Sequence, residues 1–327
     1  SSGHLGLLVA LAYPDRIAQR RPGGEGQFRL AGGGGAVLHP TEPLAAADWL
    51  AVADLDGARR DARIHLAAPL TVADLEEGFA DRFVSEAFVR WEPREEAVLA
   101  RRRLRLDELV LRDEPLRDPD PALLTAAMVE GVRTLGLAAL PWSPEAQSLR
   151  ARIAFLRVAE GEADWPDLSD AALLAGLDAW LAPHLAGLTR RAHLKGLDLA
   201  AILRDALPWP KRQALDALAP THVTVPSGSR IPIDYADPTA PVLAVRLQEM
   251  FGATDTPRLA GGRVALTLHL LSPAGRPMQV TRDLASFWAG AYREVRADLR
   301  GRYPKHHWPD DPLTAEPTNR TRRRSGG

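Results

Sequence analysis

The sequence contains no cysteine in its 327 residues. That excludes disulfides, thiol nucleophiles and Cys-ligated zinc or iron–sulfur centres, and it fits a reducing compartment, with the cytoplasm as the expectation. Lysine is almost as scarce: Lys195, Lys211 and Lys305 are the only three, so 38 of the 41 basic residues are arginine. None follows the glycine run Gly32–Gly35, which continues into Ala36 and Val37. A phosphate-cradling P-loop requires that lysine, so the run is expected to be a hairpin turn. Aromatic residues are 6% of the chain. Long apolar runs are missing too: Leu5–Tyr13 falls well short of the ~20 residues that span a bilayer and lacks signal-peptide flanks, so no membrane partner is expected. Basic and acidic residues nearly cancel at a net charge of −1, so a polyanion site has to come from local clustering.

Enzyme signatures are also absent. The nine histidines form no HExxH pattern, and the adjacent His306 and His307 cannot share a helix face as i, i+4 zinc ligands do. Pro226-Ser227-Gly228-Ser229-Arg230 has its serines at the wrong offsets for a nucleophile elbow. Asp54-Leu55-Asp56-Gly57 follows an apolar strand in the manner of a phosphatase nucleophile loop, but no hydroxyl residue follows the glycine and no partner lysine exists nearby. It reads as a strand-end turn. No catalytic residue, metal site or cofactor is assigned to this chain, and it is expected neither to bind nor to hydrolyse ATP.

What is present reads as an α+β chain of several domains. Pro14 ends a first helix and can open another carrying Arg16, Ile17, Arg20 and Arg21, so residues 1–22 are expected to be helical. Ser1-Ser2-Gly3-His4 reads as a foreign leader, and the chain is expected to begin inside a longer protein. Strand patterns at 49–55, 62–68, 87–91 and 98–106, with one helix opening at Thr71 ahead of Asp74, suggest a small OB-like β-barrel over 23–116. A helical region is expected over 117–220, with Asp120-Pro121 and Ser143-Pro144 as helix starts. A mixed α/β module over 221–308 follows. It ends in a helix presenting Leu284, Phe287, Trp288, Ala291, Tyr292, Val295 and Leu299 on one face. Residues 309–327 read as a basic disordered tail.

Arginine clusters are the candidate site. Alternation puts Arg101, Arg103 and Arg105 on one face of a barrel strand and Ala100, Leu104 and Leu106 on the other. Arg63 and His65 face outward on the strand whose Ala62, Ile64 and Leu66 face in. Guanidinium groups fork hydrogen bonds to phosphate oxygens and release condensed counterions. The competing reading is a solvated face neutralised by Glu92, Glu95 and Glu96. Phe28, Phe88 and Trp91 are expected to be barrel core, which leaves phosphate contacts rather than base stacking. The tryptophans Trp142, Trp165, Trp180, Trp209, Trp288 and Trp308 allow a second function, a module that docks a protein partner through 117–312.

Leu11–Arg20 (LAYPDRIAQR), TVPSGSRIPIDY (224–235), PVLAVRLQEMFG (241–252), the stretch 261–288 and YREVRADLRGRYPKHHWPDDP (292–312) resemble the C-terminal part of bacterial HrpB-type DEAH-box ATP-dependent RNA helicases. The resemblance spans about residue 5 to 312. It implies upstream RecA-like motor domains, a winged helix and a helical ratchet bundle in the same protein, with residues 1–22 as the end of that bundle, followed by an OB-fold and a C-terminal extension. ATP and magnesium would belong to the motor, whose Walker and DEAH motifs are absent here. The chain's expected role is to hold single-stranded RNA or DNA through Arg20, Arg21, Arg63, Arg101, Arg103 and Arg105 and to brace the motor.

Overall fold

The structure is a computed structural model and describes residues 4–57 and 61–320. The arginine-rich end, 321–327, and residues 1–3 of the leader lie outside the described residues. The chain divides into two compact units, residues 1–131 and 132–327.

In the first unit, α1 (Leu5–Ala12) stops at Tyr13, and Pro14–Arg16 make a single 3-10 turn. The next residues are not helical, contrary to the helix expected through Arg21. Ile17–Arg20 form β1, which pairs antiparallel with β2 (Gln27–Leu30) on one side and β4 (Trp49–Leu55) on the other. Short segments take the conformation that tertiary pairing offers, whatever their local propensity. The glycine run turns β2 into β3 (Gly35–Val37): Gly33 and Gly34 sit at φ 96° and 87°, the left-handed region that side chains disfavour. With β5 (Asp61–Pro69) these strands close a barrel in the order β1-β2-β3-β5-β4, with only β3 and β5 parallel.

The barrel wall is apolar on both sides. Ala18, Phe28, Leu30, Ala36, Leu50, Val52 and Ile64 fill the interior. Ile17, Trp49 and Ala51 face outward into a second core with Leu7 of α1 and with Leu75 and Phe79 of α2 (Val72–Phe79). Helix α2 opens with a full capping box, Thr71 Oγ1 accepting from Asp74 N at 3.1 Å and Asp74 Oδ2 accepting from Thr71 N at 2.9 Å. Leu66 does not face inward as expected. It is 63% exposed, because the β4–β5 ladder is irregular between Val52 and Leu55 and a bulge re-aims the side chains beside it.

The strands expected to complete the barrel build a separate sheet. β6 (Phe83–Glu92), β7 (Ala97–Leu106) and β8 (Leu109–Pro115) form an antiparallel three-stranded meander. Each of these strands takes its ladder partners from within the meander, β6 pairing with β7 over ten residues and β7 with β8, which leaves no edge for a barrel strand between them. The barrel's five strands instead lie within 17–69. The β7–β8 turn roots this sheet, since Leu106 and Leu109 are fully buried in the second core. Trp91, near the far end, is buried, and a Cβ on Gly131 of α3 (Pro121–Leu135) would collide with its ring.

The second unit begins within α3 and continues through α4 (Pro144–Glu160), α5 (Asp170–Ala175), α6 (Leu177–Trp180), α7 (Leu199–Asp205) and α8 (Trp209–Leu218). Ser143 caps α4 ahead of Pro144 as expected, its hydroxyl accepting from Ala146 N at 3.1 Å. The strands β9 (His222–Thr224), β10 (Arg230–Asp234), β11 (Val242–Arg246), β14 (Thr267–Leu271) and β15 (Pro277–Thr281) form a sheet ordered β15-β14-β11-β10-β9. β12 (Arg258–Leu259) and β13 (Val264–Ala265) make a small separate ladder.

The single last helix that was expected is two, α9 (Leu284–Ala289) and α10 (Tyr292–Arg302), broken at Gly290 with φ −121° and ψ −90°. The break leaves Ala291 exposed and Val295 half-buried. Leu284, Phe287, Trp288, Tyr292 and Leu299 are buried as expected. The segment 309–320 is folded against this unit, not free. Pro312 is buried and its carbonyl accepts from Gly252 N at 2.8 Å, while Thr318 N donates to the Gln248 carbonyl at 3.1 Å.

Candidate nucleic-acid interface

Alternation along β7 places Arg101, Arg103 and Arg105 on one face, as the sequence indicates, but that face belongs to the three-stranded sheet. Phe88 and Glu86 on β6 stand opposite Arg101 and Arg103, and Asp113 on β8 stands opposite Arg103. Asp113 takes Arg101 Nε at 2.8 Å and Arg103 Nε at 3.1 Å. Arg105 reaches Glu86 at 3.2 Å and Glu108 at 3.7 Å. The acids that these arginines meet include the cross-strand neighbours Asp113 and Glu86 together with Glu108 of the β7–β8 turn, and the expected Glu92 and Glu95 are not among them. Partial burial raises the Asp113 carboxyl, but the hydrogen bonds and charges of Arg101 and Arg103 outweigh it and hold the carboxyl below its ordinary value.

Phe88 is not barrel core. It is half-buried between two guanidinium groups, Arg90 at 4.7 Å and Arg103 at 4.8 Å from its ring centroid. Such contacts draw each cation to the negative face of the ring by its quadrupole.

Arg20 and Arg21 come together at the rim of the barrel. With Gln19, Pro22, Arg29 and Val110 they line an open groove of about 640 Å³. Gln19 Nε2 donates to the Val110 carbonyl at 2.8 Å and ties β1 to β8 at the groove floor. Arg20 is held by Asp48 at 2.7 Å, and its buried Nε has no partner. Arg21 and Arg29 are exposed and make no ion pair among the described residues. Arg29 was not legible as a site residue, because only the β1–β2 register, Gln19 opposite Arg29, brings it to Arg20 and Arg21. Arg63 stands apart, exposed on β5 opposite Val37.

Of the tryptophans, Trp165, Trp288 and Trp308 are buried, Trp142 and Trp180 half-buried, and Trp209 is 64% exposed. Among the described residues no helix is long and apolar enough to cross a membrane.

The groove beside the barrel thus presents two guanidiniums, Arg21 and Arg29, with no ion pair among the described residues. The class of protein, a helicase accessory region, comes from family models. The family described as "ATP-dependent helicase C-terminal" matches residues 180–312, and "ATP-dependent RNA helicase HrpB, connector region" matches residues 82–116, which coincide with the three-stranded sheet. The ATP-dependent RNA helicase HrpB of Escherichia coli K12 is 44% identical over 320 residues, covering 97% of this chain and 39% of that protein. Crystal structures of the E. coli DExH-box NTPase HrpB and the E. coli DEAH/RHA helicase HrpB match with TM-scores of 0.61 and 0.53 at 44% and 41% identity. They cover 98% and 94% of this chain and 40% and 38% of theirs. The chain belongs to the HrpB family of helicases and corresponds to its C-terminal region, spanning about two fifths of the length of these relatives.

Proposed function

We propose that this chain is the accessory region of an ATP-dependent RNA helicase, holding single-stranded RNA or DNA while RecA-like, winged-helix and ratchet domains of the same protein carry ATP, magnesium and the motor chemistry. The assignment to the cytoplasm belongs to the same reading. The closed strand order with one parallel pair supports an OB-like barrel, a fold that binds single strands in basic grooves. The observation that carries the proposal is the groove in which Arg21 and Arg29 lack acidic partners. Guanidiniums already free of carboxylates engage phosphate without first losing an ion pair. Arg101, Arg103 and Arg105 would have to exchange Asp113, Glu86 and Glu108 for phosphate, which makes them the secondary contacts, and Arg63 is an outlying one. Docking of a protein partner is less favoured, since only Trp209 among the six tryptophans of 117–312 stands well clear of the core.

The test is Arg21→Ala combined with Arg29→Ala, read by titrating a labelled single-stranded RNA over a salt series. Binding should weaken for every sequence, and the slope of log K against log salt should flatten by about 1.4, or about 0.7 for each lost phosphate contact. An unchanged slope removes the groove from the nucleic-acid path.

A further inference from the structure

The second unit carries a basic surface that neither family match nor relative assigns. We propose that Arg190, His193 and Lys195 form a second phosphate-contacting surface for single-stranded nucleic acid, an extension that rests on the reading just given.

Arg191–Gly196 is a 3-10 helix, and with three residues per turn its side chains stack in rows at i and i+3. Leu194 anchors the turn, for it is fully buried, while Arg191, one turn before it, is exposed. The other rows, Ala192 with Lys195 and His193 with Gly196, are exposed, and Arg190 precedes the turn as its extended N-cap residue. Arg190, His193 and Lys195 are all exposed. His193 is fixed: its Nδ1 accepts the Thr189 backbone N–H at 3.1 Å, which leaves Nε2 as the ring's donor. Arg190 and Lys195 make no ion pair or side-chain hydrogen bond among the described residues, whereas Arg150, Arg152, Arg157, Arg204, Arg212 and Arg296 of the same unit are all tied to carboxylates. No Asp or Glu occurs between Ala179 and Leu197, so the segment supplies no counter-charge of its own.

The same surface is a poor site for an acidic protein. Protein interfaces need an apolar, desolvated centre, and here Leu185 and Leu194 are buried while Leu188 and Leu197 are no more than half-exposed. Phosphate contacts need no such centre, because counterion release supplies the affinity.

The experiment uses the full chain, a labelled single-stranded RNA and a salt series, with Arg190→Ala/Lys195→Ala beside Arg21→Ala/Arg29→Ala. Both residues of the new pair are exposed, so the melting temperature should hold while affinity falls by up to about 25-fold at 0.1 M salt and the slope flattens by about 1.4. Arg190→Lys/Lys195→Arg, which keeps the charge, should restore most of the binding. Unchanged affinity and slope in the new pair, with loss in the groove pair, overturns this proposal and leaves the groove standing. A chain that binds no RNA overturns both. Polyglutamate competing as strongly as RNA of equal charge assigns the surface to an acidic protein and overturns the nucleic-acid assignment.

Discussion

Asp113 is one carboxylate serving two arginines, and removing its charge is the sharpest way to ask whether the arginine strand touches nucleic acid. Asp113→Asn keeps the shape of the side chain but cancels the charge that Arg101 approaches at 2.8 Å and Arg103 at 3.1 Å. The arginine side chains are 30% and 25% exposed and Asp113 is 34% exposed. Solvent screens such pairs, so the stability lost is about 1 kcal/mol for both together. The gain at the surface is larger: two guanidiniums become available to phosphate. If the strand lies along the nucleic-acid path, the salt slope should steepen by up to about 1.4 and affinity at 0.1 M salt should rise by as much as about 25-fold. Fluorescence anisotropy with a labelled single-stranded RNA between about 50 and 200 mM salt reads both quantities, and a thermal melt confirms the fold. Affinity and slope equal to the parent's, in a folded variant, would show that Asp113 and its arginines serve the sheet and not a ligand.

Trp288 is buried, donates its Nε1–H to the Ala253 carbonyl at 2.8 Å and packs on Phe251, Phe287 and Tyr292. Trp288→Ala should therefore cost ~3–5 kcal/mol and lower the melting temperature by roughly 10 °C while leaving RNA affinity intact; a stable variant that binds RNA poorly would place this helix at the ligand instead. Burial and the nearby Arg246 charge lower the pKa of His306. The unfolded chain then takes up a proton on falling through about pH 6.5 that the folded chain resists, so stability should decline below that pH down to the folded value. His306→Gln should flatten this part of the pH–stability profile, and a profile identical to the parent's would show that His306 titrates alike in both states.

Much of the architecture is legible along the chain. Trp49–Leu55 is a strand over the very residues its apolar pattern marks, and Thr71 with Asp74 opens a helix as a capping pair should. Partnership is harder to read than conformation. The β7 pattern announces three arginines on one face, yet Asp113 meets them only through a β7–β8 register that shifts between Leu104 and Arg105. This bulge contains no glycine to mark it in the sequence. Arg29 joins the groove through a hairpin whose first strand lies in a proline-led segment with helical spacing, Pro14 to Arg21, where pairing with β2 and β4 overrides the local signal. Gly290 interrupts an apolar stripe that periodicity alone carries through, because a stripe records which side is buried and not whether the backbone runs straight. Arg190, His193 and Lys195 share an exposed surface only because a short 3-10 turn buries Leu194 beneath them, a turn that no run of regular helical or strand periodicity announces.

Leu106 and Leu109, both wholly enclosed, belong to the same apolar cluster as Leu75, Phe79 and the outer wall of the barrel. The stretch recognised as a connector is therefore not an autonomous fold but one half of a cooperative unit. Severing the chain near residue 82 would strip the barrel's outer layer of two enclosed leucines and leave the meander without a root. Amide protons in β4 and at the base of β7 should accordingly exchange through a common opening event, whereas those at the β6–β7 tip are free to fray independently.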